Sequence, residues 1–282
     1  MGRIEDILMQ KSGARGMQRL RPYLPEDYAS RAARTILGWE RGTVLLTTGF
    51  YVAGFAETDG PAGTLALAKA LQALGFHPVV LTDDFCRGFF EPEGIDVFYL
   101  PLDADETDCR GVLKKFRPVG MISIERCGLN AHKDYENMRG LSIKAHTAPC
   151  DLIFRMAGPT IPTIGVGDGG NEIGMGNLRK EISNLLSLTP CIVETDALVI
   201  ATVSNWGAYG IAAALEKESG EVVFSRIDGK RSRDKVAAFL EATVQIGSVD
   251  GVTHERVPHV DGFDEEVELQ VLDDLTDVCS YR

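Results

Sequence analysis

The sequence predicts an α/β protein: a doubly wound, mainly parallel sheet with helices on both faces. Three observations carry that expectation. Short apolar runs alternate with amphipathic stretches, most runs end in a polar or glycine-rich loop, and no repeat or Pro/Ser-rich linker divides the 282 residues. Length alone allows one large domain or two small ones. The unbroken alternation favours one domain over 1–282, with 1–40 as a helical segment packed outside the sheet.

In chain order, residues 1–40 offer Leu20, Tyr23, Tyr28, Ile36, Leu37 and Trp39 as scattered apolar anchors for one or two helices. TVLLTT (43–48) reads as the first strand and runs into the glycine-rich segment GFYVAGFAETDGPAG. Next, Leu67, Leu71 and Leu74 recur at helical spacing, and Gly75 stands where a helix C-cap belongs. PVVLT (78–82) is a strand ending at Asp83 and Asp84. IDVFYLP (95–101) and VGMISIE (119–125) are further strands, with GVLKKF between them. IPTIGVG (161–167) leads through DGGNEIGMGN to a helix marked by Ile182, Leu185 and Leu186. DALVIATVS (196–204) leads to the helix GAYGIAAALEKE. Val236, Phe239, Leu240 and Val244 mark another helix, and Val271, Leu275 and Val278 a last one. Segments 43–48, 78–82, 119–124, 162–166 and 197–203 are expected to be neighbouring strands.

Composition narrows the function. A hydrophobic share of 44% and a charged share of 25% are globular values, which exclude a disordered or fibrous chain. The net charge of −12 argues against nucleic-acid binding, which needs a basic face, and against adsorption to anionic lipid. The apolar stretch from Ala197 to Leu215 is broken by Ser204, Asn205, Gly207 and Gly210, so no membrane span is expected. The six cysteines are spread singly without CxxC, as reduced thiols in a cytoplasmic setting would be. The start MGRIEDILMQKSGARG has no apolar core segment, so no signal peptide is expected. The histidines form neither HxH nor HExxH, and His132 and His146 are expected at the surface.

In open α/β sheets, ligands bind at the carboxyl ends of the strands, where strand order reverses. GFAETDGPAG, TDD, ERCGLN, GDGGNEIGMGN and SNWGAYG would all converge there. GVGDGG (165–170) has the spacing of a dinucleotide fingerprint, but Asp168 and Glu172 would repel a pyrophosphate, and no packed helix start follows. No P-loop is present. Asp168 and Glu172, like Glu57 and Asp59, suit a cation instead: a metal ion or a substrate ammonium. The glycines let backbone N–H groups approach a carboxylate. Together these features suit an amino acid. Single acids in such loops also serve as turn formers and helix caps. Arg126 has two readings, a bidentate carboxylate ligand or a salt bridge to a nearby acid. Ser204 and Asn205 offer donors at a helix N-terminus. Tyr135, Asn137 and Arg139 fit a surface loop as well as a binding one, and Trp206 and Tyr209 read as packing residues.

With these segments laid out, the sequence resembles the D-glutamate cyclase family, in its C-terminal, catalytic-type domain. The likeness rests on TGF (48–50), ETDGPAG (57–63), IERCGLN (124–130), YENMRG (135–140), GVGDGGNEIGMGN (165–177), SNWGAYG (204–210) and the Arg-Gly pair at 15–16. It implies a lyase that dehydrates D-glutamate to 5-oxo-D-proline, the α-amine attacking the γ-carboxyl. On that basis Asp168 and Glu172 are the expected acid/base or metal-binding pair, and Glu57 and Asp59 orient the amine. Thr58, Gly60, Gly169, Asn171, Ser204 and Asn205 would hold substrate oxygens, with Arg126 as countercharge. A divalent cation, Mg²⁺ or Mn²⁺, is compatible with this set, and a homo-oligomer is left open. The competing readings are a metal-dependent enzyme for another small acidic or phosphorylated metabolite, and a non-catalytic amino-acid-binding module.

Overall fold

The structure, a computed structural model, describes residues 4–13 and 15–280. In chain order its strands are β1 (Thr43–Thr47), β2 (Tyr51–Val52), β3 (Phe55–Ala56), β4 (His77–Thr82), β5 (Asp96–Tyr99), β6 (Gly120–Ile124), β7 (Thr163–Gly167), β8 (Ala197–Ile200), β9 (Arg226–Ile227) and β10 (Lys230–Arg231). The helices are α1 (Ile4–Leu8), α2 (Met17–Leu20), α3 (Tyr28–Leu37), α4 (Pro61–Ala73), α5 (Glu106–Phe116), α6 (Cys150–Met156), α7 (Arg179–Leu185), α8 (Ser204–Ser219), α9 (Ser232–Gln245) and α10 (Glu265–Ser280).

Six strands form one sheet in the order β5-β4-β1-β6-β7-β8, every neighbouring pair parallel. This is the doubly wound sheet that the alternating pattern predicts. From β1 the chain winds outward to β4 and β5, then returns to lay β6 on the other side of β1. Strand order therefore reverses between β1 and β6. Central strands are apolar at nearly every position because both faces are covered. Val44, Leu45 and Leu46 pair in register with Pro78, Val79 and Val80 on one side, and with Gly120, Met121 and Ile122 on the other. All of these are buried. The short ribbons β2–β3 and β9–β10 lie outside this sheet. In the first, Ala53 and Gly54 both take positive φ, as a two-residue hairpin turn of the primed type requires.

Local sequence fixes the helix ends. Gly75, at φ +83, lets α4 stop: its N–H donates to Gln72 O while Phe76 N–H donates to Leu71 O. Asp105 and Asp108 form a reciprocal capping box on α5. The N-terminal segment packs α1 and α3 against α8, and Tyr28 Oη donates to Ile200 O at 2.8 Å at the end of β8. Beyond α8, α10 contributes Glu268, which is fully buried and accepts from Trp206 Nε1 and from Tyr209 Oη at 2.9 Å. Both aromatic residues are thus packing residues with their polar atoms satisfied.

Helices α4 and α8 cross where Gly63 has no side chain. A Cβ there would lie 2.8 Å from Asn205 Cα and 3.0 Å from Asn205 O, against backbone that cannot swing away. Gly63→Ala is therefore expected to destabilise the chain by about 1–3 kcal/mol, the usual cost of overpacking. Denaturant melts of the two proteins measure this, and equal midpoints would mean that the helices have slack at this crossing.

Candidate functional site

The loops after β1 and β8 are joined by an exchange of caps. Asp59 Oδ1 accepts from the backbone N–H of Gly60 (2.8 Å) and Asn205 (2.7 Å), and its Oδ2 accepts from Ser204 N–H at 2.9 Å. Asn205 Oδ1 in turn accepts from Gly60 N–H (2.9 Å) and Gly63 N–H (2.7 Å), and its Nδ2 donates to Thr58 O. Each loop thereby satisfies N–H groups at the start of the other's helix. Thr58 Oγ1 donates to His259 O at 2.6 Å, which brings the 250–262 segment to the same edge. Asp250 folds that segment by accepting from Val252, Thr253 and Gly262 N–H.

The turn after β7 is organised by Glu172. Its Oε1 accepts from Asp168 N–H (3.3 Å) and Gly169 N–H (2.6 Å), and its Oε2 from Gly170 N–H (2.7 Å). A Cβ on Gly169 would stand 2.7 Å from that carboxylate, so the tight turn needs glycine there. Asp168 Oδ1 accepts from Arg15 Nη1 at 2.5 Å, and Arg15 Nη2 donates to Asp261 Oδ1. No N–H or hydroxyl donates to Asp168 Oδ2 or Asp261 Oδ2, both buried, and the two carboxyls are close enough to share a proton, which raises Asp261 and lowers Asp168. After β6, Glu125 turns into the left-handed region at φ +44, and its Oε2 accepts from Ser204 Oγ at 2.5 Å. Glu57 is buried nearby, in space that Gly251 leaves open by having no Cβ.

Carboxylates outnumber cations at this edge, and their protonation reflects it. Burial pushes Asp168 well above the usual carboxylate range, while Arg15 pulls it back down. Glu125 is raised by burial and then by the charges of Asp168 and Glu172. Glu57 is raised by burial, then by Asp261 and Asp59, against the pull of Arg15. Asp59 is pushed up to about 8 by burial and by Asp261, opposed by its N–H donors. Burial works against the charge of Arg15, but Asp168 and Asp261 outweigh it and keep the guanidinium protonated. An acid with no cation paired to it among the described residues, as Glu125 is, holds its proton at neutral pH and can donate it, whereas Arg15 offsets the burial of Asp168.

Above these groups opens a cavity of about 370 Å³. Its floor holds Arg15, Glu57, Glu125, Asp168 and Asn171; Phe50, Tyr51 and Ile143 are among its apolar walls; Arg139 and His254 also line it. Asn171 Nδ2 donates to Glu136 O at 2.8 Å, and its Oδ1 is buried without a partner. Two groups of carboxylates bring ligand oxygens within 4.8 Å of one another: Glu125, Asp168 and Glu172, and Asp59, Asp168 and Asp261.

Of the residues singled out in the sequence, Glu57, Asp168 and Asn171 line the cavity, while Thr58, Asp59, Gly60, Gly169, Glu172, Ser204 and Asn205 belong to the loops around it. Asp59, Glu172 and Asn205 do so as acceptors for backbone N–H groups. Arg126 is not brought to the cavity. Its guanidinium is buried and donates to Asp83 Oδ2 and Gly49 O, each at 2.6 Å, and to Ala148 O at 2.8 Å. Of its two readings, the salt bridge is the contact formed. Sequence reasoning gave no site role to Arg15, Glu125 or Asp261. Glu125 had a signal, an acid closing a fully buried strand. Asp261 had none beyond an Asp-Gly turn.

Fold and site define a class: a doubly wound α/β protein with an acid-floored cavity where its strand order reverses. The family follows. Residues 4–276 match the model of the "D-glutamate cyclase-like, C-terminal" family, and the chain belongs to that family. Over 199 residues it is 33% identical to the human protein named "D-glutamate cyclase, mitochondrial", a match covering 61% of this chain and 32% of the human one. The chain thus aligns with about a third of that curated relative's length. Among the described residues, no helix is long and apolar enough to cross a membrane.

Arg15→Gln tests the electrostatics. Without the guanidinium, Asp168 and Asp261 rise further above their unfolded values, near 3.9. The folded variant then keeps more of the protons that the unfolded chain releases, so its stability falls more steeply than the wild type's as pH rises above about 4. The variant is expected to lose about 3–5 kcal/mol at pH 8 and clearly less at pH 5.5. An equal loss at both values, read from thermal melts, would remove Arg15 from this charge balance.

Proposed function

We propose that the chain is a hydro-lyase that closes D-glutamate to 5-oxo-D-proline with loss of water. The observation that carries this reading is a pair of buried acceptors to which no N–H or hydroxyl donates, Asp168 Oδ2 and Asn171 Oδ1, among protonated acids in a protein of this family. Buried acceptors without such donors are costly, and a substrate ammonium would satisfy both.

The reaction joins an ammonium to a carboxylate. The nitrogen loses protons, the carboxyl oxygen gains them, and that oxygen leaves as water. Asp168, which Arg15 draws toward ionisation, is suited to take a proton from the amine. Glu125, kept protonated by burial and oriented by Ser204, is suited to give one to the departing oxygen. Holding the two ends of the substrate together in a confined cavity contributes much of the remaining acceleration. Glu172 and Asp59 act as positioning residues in this scheme, since the two oxygens of each already accept backbone N–H groups. Asp168 belongs to both carboxylate groups, and an all-oxygen set fits Mg²⁺ or Mn²⁺. Such a cation, held by Glu125, Asp168 and Glu172 or by Asp59, Asp168 and Asp261, would polarise the carboxyl oxygen. The six buried free thiols support a reducing compartment.

Incubation with D-glutamate, alone, with Mg²⁺ or Mn²⁺, and with chelator, followed by chiral chromatography, tests the reading. The expected product is 5-oxo-D-proline, with L-glutamate turned over more slowly. Asp168→Asn and Glu125→Gln should each lower kcat by about 10²-fold or more, the typical loss of a general acid or base, while the fold is retained. No product under any condition, and no thermal shift with D-glutamate, would overturn it.

A further inference from the structure

We propose that Arg139 anchors the substrate's α-carboxylate and makes the cavity selective for amino acids whose α-carboxylate is free. This rests on the amino-acid reading of the site and adds a specificity determinant to it. Charge is segregated along the cavity. The floor carries Glu57, Glu125 and Asp168, and its cation, Arg15, is already paired with Asp168 and Asp261. Protonated acids on the floor can take one carboxyl group, but the floor offers no unpaired cation for a second. Arg139 lines the same cavity on an exposed loop, and its guanidinium has no hydrogen-bond or ion-pair partner among the described residues. A guanidinium presents the planar fork that a carboxylate takes in two parallel hydrogen bonds.

The loop holds this arginine in a defined place. Glu136 and Ser142 form an antiparallel bridge at its base. Asn137 Oδ1 accepts from Arg139 N–H (2.9 Å) and Leu141 N–H (3.1 Å), so the tip is a built turn. The base is pinned to the floor by Asn171, whose Nδ2 donates to Glu136 O. That is the same amide whose Oδ1 has no partner, which makes it the proposed acceptor for the ammonium. One side chain therefore links the acceptor for the α-amine to the stem that carries Arg139. The α-amine and α-carboxylate share one carbon, so a fixed spacing between their two receivers is what an α-amino acid requires. With the amine at Asn171, the γ-carboxyl is left to the protonated acids, and the α-carboxylate to Arg139.

D-Glutamate and its α-amide, D-isoglutamine, separate this role from a structural one. Both keep the amine and the γ-carboxyl, and only the first keeps the α-carboxylate. The wild-type chain should prefer D-glutamate by roughly 10²-fold in kcat/KM, as expected when one bidentate, charge-assisted contact is lost. Arg139→Gln should raise KM for D-glutamate at least tenfold, leave kcat within a few-fold, and erase the preference. Arg139→Lys should restore part of it. Calorimetric binding of both ligands to both proteins gives the same comparison without turnover. If wild-type binds D-glutamate but forms no product, the cyclisation reading fails while the anchor is still decided by the binding ratio. Retention of the preference in Arg139→Gln, or a loss confined to kcat, would overturn the anchor.

Discussion

The structure depends on the exchange of caps between Asp59 and Asn205. Helix N-termini carry unsatisfied N–H groups, and here two such termini, those of α4 and α8, meet at one edge of the sheet. Asp59, just before α4, caps α8, and Asn205, in the first turn of α8, caps α4. The exchange ties the strand at the centre of the sheet, β1, to the strand at its edge, β8. Between them lie β6 and β7, whose following loops carry Glu125 and Asp168. Fixing the two outer loops therefore fixes the frame in which the acids of the inner two must stand. Gly63 makes this possible by letting α8 approach α4 at backbone distance.

Within that frame, the arrangement of charge is unfavourable by itself. Buried carboxylates usually have cations beside them, and here Arg15 serves Asp168 and Asp261 together while Glu57 and Glu125 have no cation of their own within hydrogen-bond reach among the described residues. The protein resolves this in two ways. Some carboxylates are surrounded by backbone N–H groups, as Glu172 is, and others retain protons. A site of this kind holds proton donors and acceptors side by side, which suits the proton transfer proposed for it. The environment tolerated as a cost to the fold is the same one that would suit the proposed chemistry.

Much of this was legible in the sequence, for a specific reason in each part. The sheet was legible because both faces of its strands are buried, so TVLLT, PVVLT and GMISI stand out as apolar runs between glycines and acids. The loops of the site were legible because a parallel sheet sends the ends of its strands to one edge. Roles were harder to read. Asp59, Asn205 and Glu172 look like site residues because capping and catalysis draw on the same short list of polar side chains. Arg126 follows Glu125 in one strand end, yet Glu125 bonds Ser204 across the cavity edge and Arg126 reaches Asp83. Neighbours in sequence here serve different partners. Arg15 and Asp261 lay beyond a local reading because their meaning comes from each other.

That last pairing has a consequence for the order in which the molecule comes into being. Arg15 and Asp261 are separated by 246 positions, and the last strand of the main sheet, β8, ends at Ile200. During synthesis the sheet can therefore close while the 250–262 segment and α10 have yet to emerge. At that stage the carboxylates of the inner loops are gathered, but the cavity lacks the wall that Gly251 and Val252 supply. The cavity is thus completed after the scaffold, by a segment made after the sheet folding back onto a residue made before it.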